Sequence, residues 1–393
     1  MTDLEAFETC GGLQNSKLTR NCIMSKLLLI IALAVFSFAR PRPVVKAADP
    51  AYIYFDSQKI VEDKVVIQYA EIDGDSGFTQ KVKITDITPI RENVTTAETS
   101  YTAFATGTFD NLKTSKAFTT GCALVASIHS EGTYGFYGYA ALAIKGLDIA
   151  PSITGLVKFG PSEINYGGVP ETETSDYYDN VTLTKTCDSK VYEIDYLTYG
   201  LNTYGIYSDE CISNKGIPEA IPTACEITED PVPDSNAQAA FTSTLKGYRE
   251  GFFFKVTPAT LKDLLIRFGP LITYSSDRYS NVYRLLVGWD AGKWVVVKAS
   301  GDTYVLDKTE NVETTGTFDG IVILDTDAIL CKEITAETPK ELCSCPSKDD
   351  KEAYDADPRT KDKKTGICAA GTMRAAWAVV VAVLAVPALS LFW

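Results

Sequence analysis

Histidine is almost missing from this chain: His129 is the only one in 393 residues. Imidazole changes charge near neutral pH and is the commonest nitrogen ligand for metals. One copy therefore excludes a multi-histidine metal site and any mechanism that needs two imidazoles. Cationic charge is also short. Lys and Arg number 37 against 51 Asp and Glu, a formal net charge of −14. That balance removes the basic footprint a phosphate backbone needs, so nucleic acid is not an expected partner. No cofactor motif stands out, and none is expected. Apolar residues are plentiful at 45%, enough for a full core in one large or two smaller domains.

Both ends carry addressing patterns. From Met24, MSKLLLIIALAVFSFARPRP has a basic residue at Lys26, an apolar core from Leu27 to Phe36 and small residues at Ser37 and Ala39. It reads as a secretory signal with cleavage after Ala39 or nearer Ala47. Residues 1–23 make a poor n-region, which points to Met24 as the functional start and to 1–39 as leader and signal peptide; a long leader on a signal anchor is the alternative. At the other end, Ala375 to Trp393 is an apolar run of 19 residues, preceded by the small residues Ala369, Ala370 and Gly371 and followed by no charge. Residues 369–393 therefore read as a glycosylphosphatidylinositol signal or a single membrane-spanning helix; the spacer Thr372-Met373-Arg374 is shorter than the usual ~8 to 12 polar residues of the former. Either way a membrane-anchored protein at the cell surface or on an endomembrane is expected. Sequons at Asn93 and Asn180 fit that route. So do eight cysteines between the two ends, from Cys122 to Cys368, most of them expected in disulfides.

Residues 48–105 form a β-rich region: YIYFD, KVVIQYAEI and QKVKITDI alternate apolar and polar side chains. Thr119 to Ile128 reads as a threonine-capped helix start with Leu124, Val125 and Ile128 in one stripe. The tyrosine- and glycine-rich stretch after it holds Tyr134, Phe136, Tyr137 and Tyr139, which suit core packing better than a contact surface. The strongest helix is VTPATLKDLLIRFGP: Thr257 caps it, Pro258 opens it, Leu261, Leu264, Leu265 and Phe268 share a face, and Gly269-Pro270 end it. SNVYRLLVGWDAGKWVVVKASGDTYV then reads as two strands about an Asp290-Ala291-Gly292 turn. Residues 332–368 are charged and poor in apolar side chains, a disulfide-tied polar stalk.

These pieces occur in a familiar order. TTGCALVAS resembles the Q-x-x-C-G-S-C-W-A-F-S of the papain-like (cathepsin-type) cysteine peptidases, with Cys122 in the nucleophile's place. CDSKVYEIDYLTYG resembles G-C-N-G-G and its following helix, NVYRLLVGWD resembles N-H-A-V-L-L-V-G-W, and WVVVKASGDTYV resembles Y-W-L-V-K-N-S-W-G. The resemblance covers residues 106–331 and implies an α+β fold of two lobes, helical and β-barrel-like, following the N-terminal β-rich extension. It also shows what is gone. A thiolate made by an imidazole, an asparagine orienting it and a glutamine donor carry the family's chemistry. Val282 stands at the imidazole position, Ala299 at the asparagine and Lys116 at the glutamine, so only Cys122 survives. Seven residues along one helix is about 10.5 Å of rise, which keeps His129 from replacing the lost base within that helix. Cys122 reads as a relic thiol or a disulfide-bonded cysteine. The family's cysteine three before the nucleophile is Thr119 here, so Cys187 lacks its implied partner and the pairing among Cys187, Cys211 and Cys225 is open.

The expected function is that of a degenerate peptidase homologue, binding a peptide or protein in its interdomain cleft. An active peptidase with a base elsewhere, or a structural or adhesive surface protein, are the alternatives. Secretory expression should yield a mature chain starting after Ala39 or nearer Ala47. Intact-mass analysis should show two N-glycans, with Asn93→Gln and Asn180→Gln each removing one.

Overall fold

The computed structural model describes residues 47–368 except Phe118, 174–175, 189–195, 226–240, 275–282, Thr314, Glu341, Ser344 and 362–366. The signal at 24–39, the apolar run at 369–393 and Val282 lie outside these. The alternating N-terminal pieces become β1 (Tyr52–Phe55), β2 (Lys64–Gln68) and β3 (Gln80–Lys83), followed by β4 (Ser100–Thr102). Helices α1 (Ala123–Ser130), α2 (Thr133–Lys145) and α3 (Ile153–Phe159) come next. Short strands β5 (Glu163–Gly167) and β6 (Val181–Thr182) precede α4 (Leu197–Tyr204) and β7 (Tyr248–Val256). Then follow α5 (Pro258–Phe268), β8 (Leu271–Tyr274), β9 (Tyr283–Asp290), β10 (Lys293–Ser300), β11 (Thr303–Asp307), β12 (Phe318–Asp325) and α6 (Thr326–Leu330). Two short helices, α7 (Lys351–Ala356) and α8 (Pro358–Lys361), end the described chain. The protein is α+β.

A nine-stranded antiparallel sheet runs β11-β10-β9-β8-β12-β7-β1-β3, with β4 pairing β9 off that path. The N-terminal strands β1, β3 and β4 thus belong to the same sheet as the C-terminal half. Both faces are buried at β7, which explains its apolar run Phe252-Phe253-Phe254. Phe252 and Phe254 pack with the residues of α1–α4 on one face, and Phe253 and Val256 with Leu261, Leu264, Leu265 and Phe268 of α5 on the other. Helix α5 forms where the sequence places it: the Thr257 hydroxyl accepts from the Thr260 N–H, Pro258 opens the first turn and Gly269 ends the helix at φ +81°. The β9–β10 hairpin closes on Ala291 and Gly292, both at positive φ, as a two-residue turn between twisted strands requires. A second sheet pairs β2 with β5 in parallel and β5 with β6 antiparallel.

Helix α2 was not evident as a helix in the sequence because of its glycines. Both admit close neighbours: a Cβ on Gly138 would lie 2.1 Å from Thr114 Oγ1, and one on Gly135 3.0 Å from Leu285. Tyr134, Phe136, Tyr137 and Tyr139 are all buried, as core packing demands. The cap of α1 differs from expectation. Cys122, not a threonine, is the N-cap residue and no side chain caps the helix; the Thr120 hydroxyl instead accepts from the Cys122 N–H at 3.0 Å.

The polar stalk is folded where it is described. Disulfides Cys331–Cys343 and Cys345–Cys368 staple it around Arg359, which is fully buried. Its guanidinium donates to both oxygens of Asp357 and to the carbonyls of Thr338 and Cys343. Removing one partner of a buried ion pair costs roughly 3–5 kcal/mol. Arg359→Met should therefore open this module, seen as faster native-state trypsin cleavage at Lys348 and Lys351, while the thermal transition of the sheet domain stays put. Unchanged protection would contradict this packing role.

Candidate functional site around Cys122

Cys122 is 1% exposed and its sulfur is bonded to Cys187, with Cα atoms 4.7 Å apart. The join is reinforced on both sides. Leu124 N–H donates to the Cys187 carbonyl at 3.2 Å, and the Thr120 hydroxyl, besides holding Cys122, donates to the Asn214 carbonyl at 2.6 Å. Asn214 is itself buried, its Oδ1 accepting from Ile153 N–H and its Nδ2 donating to the Pro151 carbonyl, both at 2.9 Å. The head of α1, the start of α3 and the segment carrying Cys187 are thereby fixed to one another. A sulfur in a disulfide has no thiolate to offer, so in this state Cys122 is a staple and not a nucleophile. The remaining cysteines pair Cys211–Cys225, and no cysteine among the described residues is free. Together the four disulfides fit an oxidising, secretory or extracellular environment.

Of the other positions that the resemblance singles out, two are described and both are exposed. Ala299 is exposed on β10 opposite Tyr304 of β11, and Lys116 is exposed in the turn after residues 113–115. Val282 immediately precedes β9, outside the described residues. His129 goes elsewhere. It is buried, its ring 4.3 Å from that of Tyr304 and 5.5 Å from that of Tyr134. The Tyr304 hydroxyl donates to the His129 carbonyl at 2.8 Å and accepts from Gly135 N–H at 3.1 Å. It thus pins the break between α1 and α2. Burial lowers the His129 pKa from 6.5 to about 4, against a weaker opposing pull from Asp302. The imidazole is therefore neutral at physiological pH.

A charged cluster lies at Arg249, apart from the candidate residues that the sequence singles out. This side chain is 1% exposed, and its Nη2 donates to Asn202 Oδ1 at 3.0 Å and to the carbonyls of Ser57 and Gln58. Its guanidinium carbon lies 5.4 Å from the Tyr199 ring, and the Tyr199 hydroxyl donates to Asp56 at 3.3 Å. Burial lowers the Arg249 pKa to about 10 against the pull of Tyr199, Asp56 and Asp327. Burial likewise raises that of Asp56, although Thr79 N–H and Arg249 favour its charged form. Asn202 continues the network to Thr326 at 3.1 Å and Asp327 at 3.3 Å, and Asp327 returns it to Lys59 at 3.0 Å. One signal was present in the sequence: an Arg-Glu pair, Arg249-Glu250, just ahead of the apolar Phe252-Phe253-Phe254 must find buried partners.

The sequon side chains are both exposed; Asn180 Oδ1 accepts from Tyr166 N–H at 2.9 Å. Among the described residues no helix is long and apolar enough to cross a membrane. Compared with known proteins, the chain matches no protein-family model, and no curated protein matches it.

Because His129 is the sole histidine, its protonation is readable without assignment. Between pH 6.5 and about 4 the unfolded chain binds a proton that the folded chain refuses, so this group lowers stability as pH falls through that window. The imidazole C–H resonance should titrate below pH 5. His129→Gln should flatten the acid side of the stability profile by up to about 3 kcal/mol. Titration near 6.5 in the folded protein would refute the burial account.

Proposed function

We propose that the chain is a catalytically degenerate homologue of the papain-like cysteine peptidases, displayed on the outer side of a membrane, that acts by binding a peptide or protein between its helical and sheet parts. The observation that carries the reading is the Cys122–Cys187 bond. It takes up the only family catalytic residue that the sequence keeps. The order of elements supports the resemblance: a buried cysteine at the head of α1, then helix α4, strand β9 and strands β10 and β11 follow the sequence of quoted motifs. Peptide hydrolysis needs a base to generate the nucleophile and an acid to protonate the leaving amine. Val282 and Ala299 supply neither, and His129 is buried against the tilted Tyr304 ring. A scaffold stripped of its acid–base groups retains a surface between its parts, and apolar concavities are the usual places for peptides and ligands. Anchoring at 369–393 would present that surface to the outside, with the disulfide-stapled 331–368 module between domain and membrane.

A thiol-directed epoxide peptidase probe and a fluorogenic peptide library, applied to the purified protein beside Cys122→Ala, test this. No labelling and no turnover are expected. Labelling and hydrolysis that disappear in Cys122→Ala would overturn the binding reading in favour of an active peptidase. A ligand-capture titration that never saturates would favour a structural coat protein.

A further inference from the structure

We propose that the Cys122–Cys187 bond is a thiol-exchange site of fixed polarity, in which an external thiolate adds to Cys187 and Cys122 departs as the leaving thiolate. The two cysteines differ in exposure and in their place relative to a helix. Cys122 is 1% exposed, whereas Cys187 is half-buried on a loop between the exposed residues Thr186 and Asp188. An incoming thiol meets Cys187 first.

Cys122 is also the better leaving group. It is the N-cap residue of the eight-residue α1, and no side chain caps that helix. Ordinary N-cap side chains accept from the orphan N–H groups of the first turn, and the helix dipole favours negative charge there. The Leu124 N–H of that turn already donates to the Cys187 carbonyl, and a thiolate on Cys122 gains from the positive end of the α1 dipole, which favours its departure. Access and leaving-group quality therefore select the same direction.

The step balances without an oxidant. The thiolate RS⁻ forms a bond to Cys187 Sγ, the Cys122–Cys187 bond breaks, and its electron pair leaves on Cys122 Sγ. The products are a mixed disulfide at Cys187 and a thiolate at the head of α1. A second thiolate can release Cys187 as RSSR forms, or Cys122 can reclose the bond and expel RS⁻. With the bond open, the Leu124 N–H to Cys187 carbonyl contact at 3.2 Å remains between α1 and this loop. The co-reactant is a thiol, small or carried by a protein. Nothing in this exchange depends on whether the protein binds a peptide.

The test uses the folded chain and 2-mercaptoethanol, quenched with iodoacetamide and mapped by mass spectrometry, with an identical sample unfolded in urea. In the folded chain the mercaptoethanol adduct should sit on Cys187 and the carbamidomethyl group on Cys122, in about tenfold excess over the reverse pattern. In urea the helix is gone and the two patterns should approach parity. Four results would overturn the proposal: an adduct mainly on Cys122, an even split in the folded chain, the same bias in urea, or a bond that opens only when far-UV dichroism is lost. Epoxide labelling and peptide turnover appearing after exchange would sink the binding-only function but leave the polarity standing.

Discussion

A single buried guanidinium constrains the placement of four separate parts of the chain. Arg249 enters the interior from β7, and a buried cation must be given acceptors or it destabilises the fold by several kcal/mol. Its acceptors are two backbone carbonyls at Ser57 and Gln58 and the side chain of Asn202 on α4. Asn202 reaches on to Thr326 and Asp327, and Asp327 holds Lys59. The circuit closes on the segment where it began. Residues 56–59 are thereby fixed against β7, α4 and the start of α6, and the strands on either side of them have little choice: β1 joins the large sheet beside β7, and β2 joins the small one beside β5.

That anchoring explains how one stretch near the N-terminus serves two sheets. The large sheet is covered on both faces, by α1–α4 on one side and α5 on the other, so its central strands carry apolar side chains in both directions. Its lysine-bearing edge strand β3, with Lys81 and Lys83, discourages further strand addition. At the opposite edge, β11 is held down by Tyr304, whose hydroxyl spans the interruption between α1 and α2. Edge, helix break and histidine are thus one packed unit, and a neutral imidazole suits it better than a charged one.

Local features were legible in the sequence because their physics is local. Thr257, Pro258 and Gly269 mark the ends of α5 without reference to anything else, and Asp290-Ala291-Gly292 marks a hairpin by the positive φ it requires. What escaped depends on distant partners. Gly135 and Gly138 look like helix breakers until Leu285 and Thr114 are seen to occupy the space a side chain would need. Arg359 looks like a surface charge until its carbonyl acceptors are found, and for Arg249 the sequence shows that buried partners are needed but not which ones. Cysteine spacing left the partner of Cys187 open; 65 residues separate it from Cys122, and only the approach of the Cys187 loop to the head of α1 decides the pair.

The missing histidine and the closed disulfide belong together. A thiolate at a helix head is useful only when an imidazole can generate it and an acid can complete the cycle; without them it is a reactive group in an oxidising compartment. Pairing it with Cys187 converts the same position into a covalent tie whose gain comes mainly from restricting the unfolded chain, on the order of 4 kcal/mol for a loop of this length. On the proposed reading, the loss of the base at position 282 removed the benefit of a free sulfur at 122, and stability then favoured its capture. On that same reading the helix head now holds the Cys187 loop against the core rather than activating a sulfur.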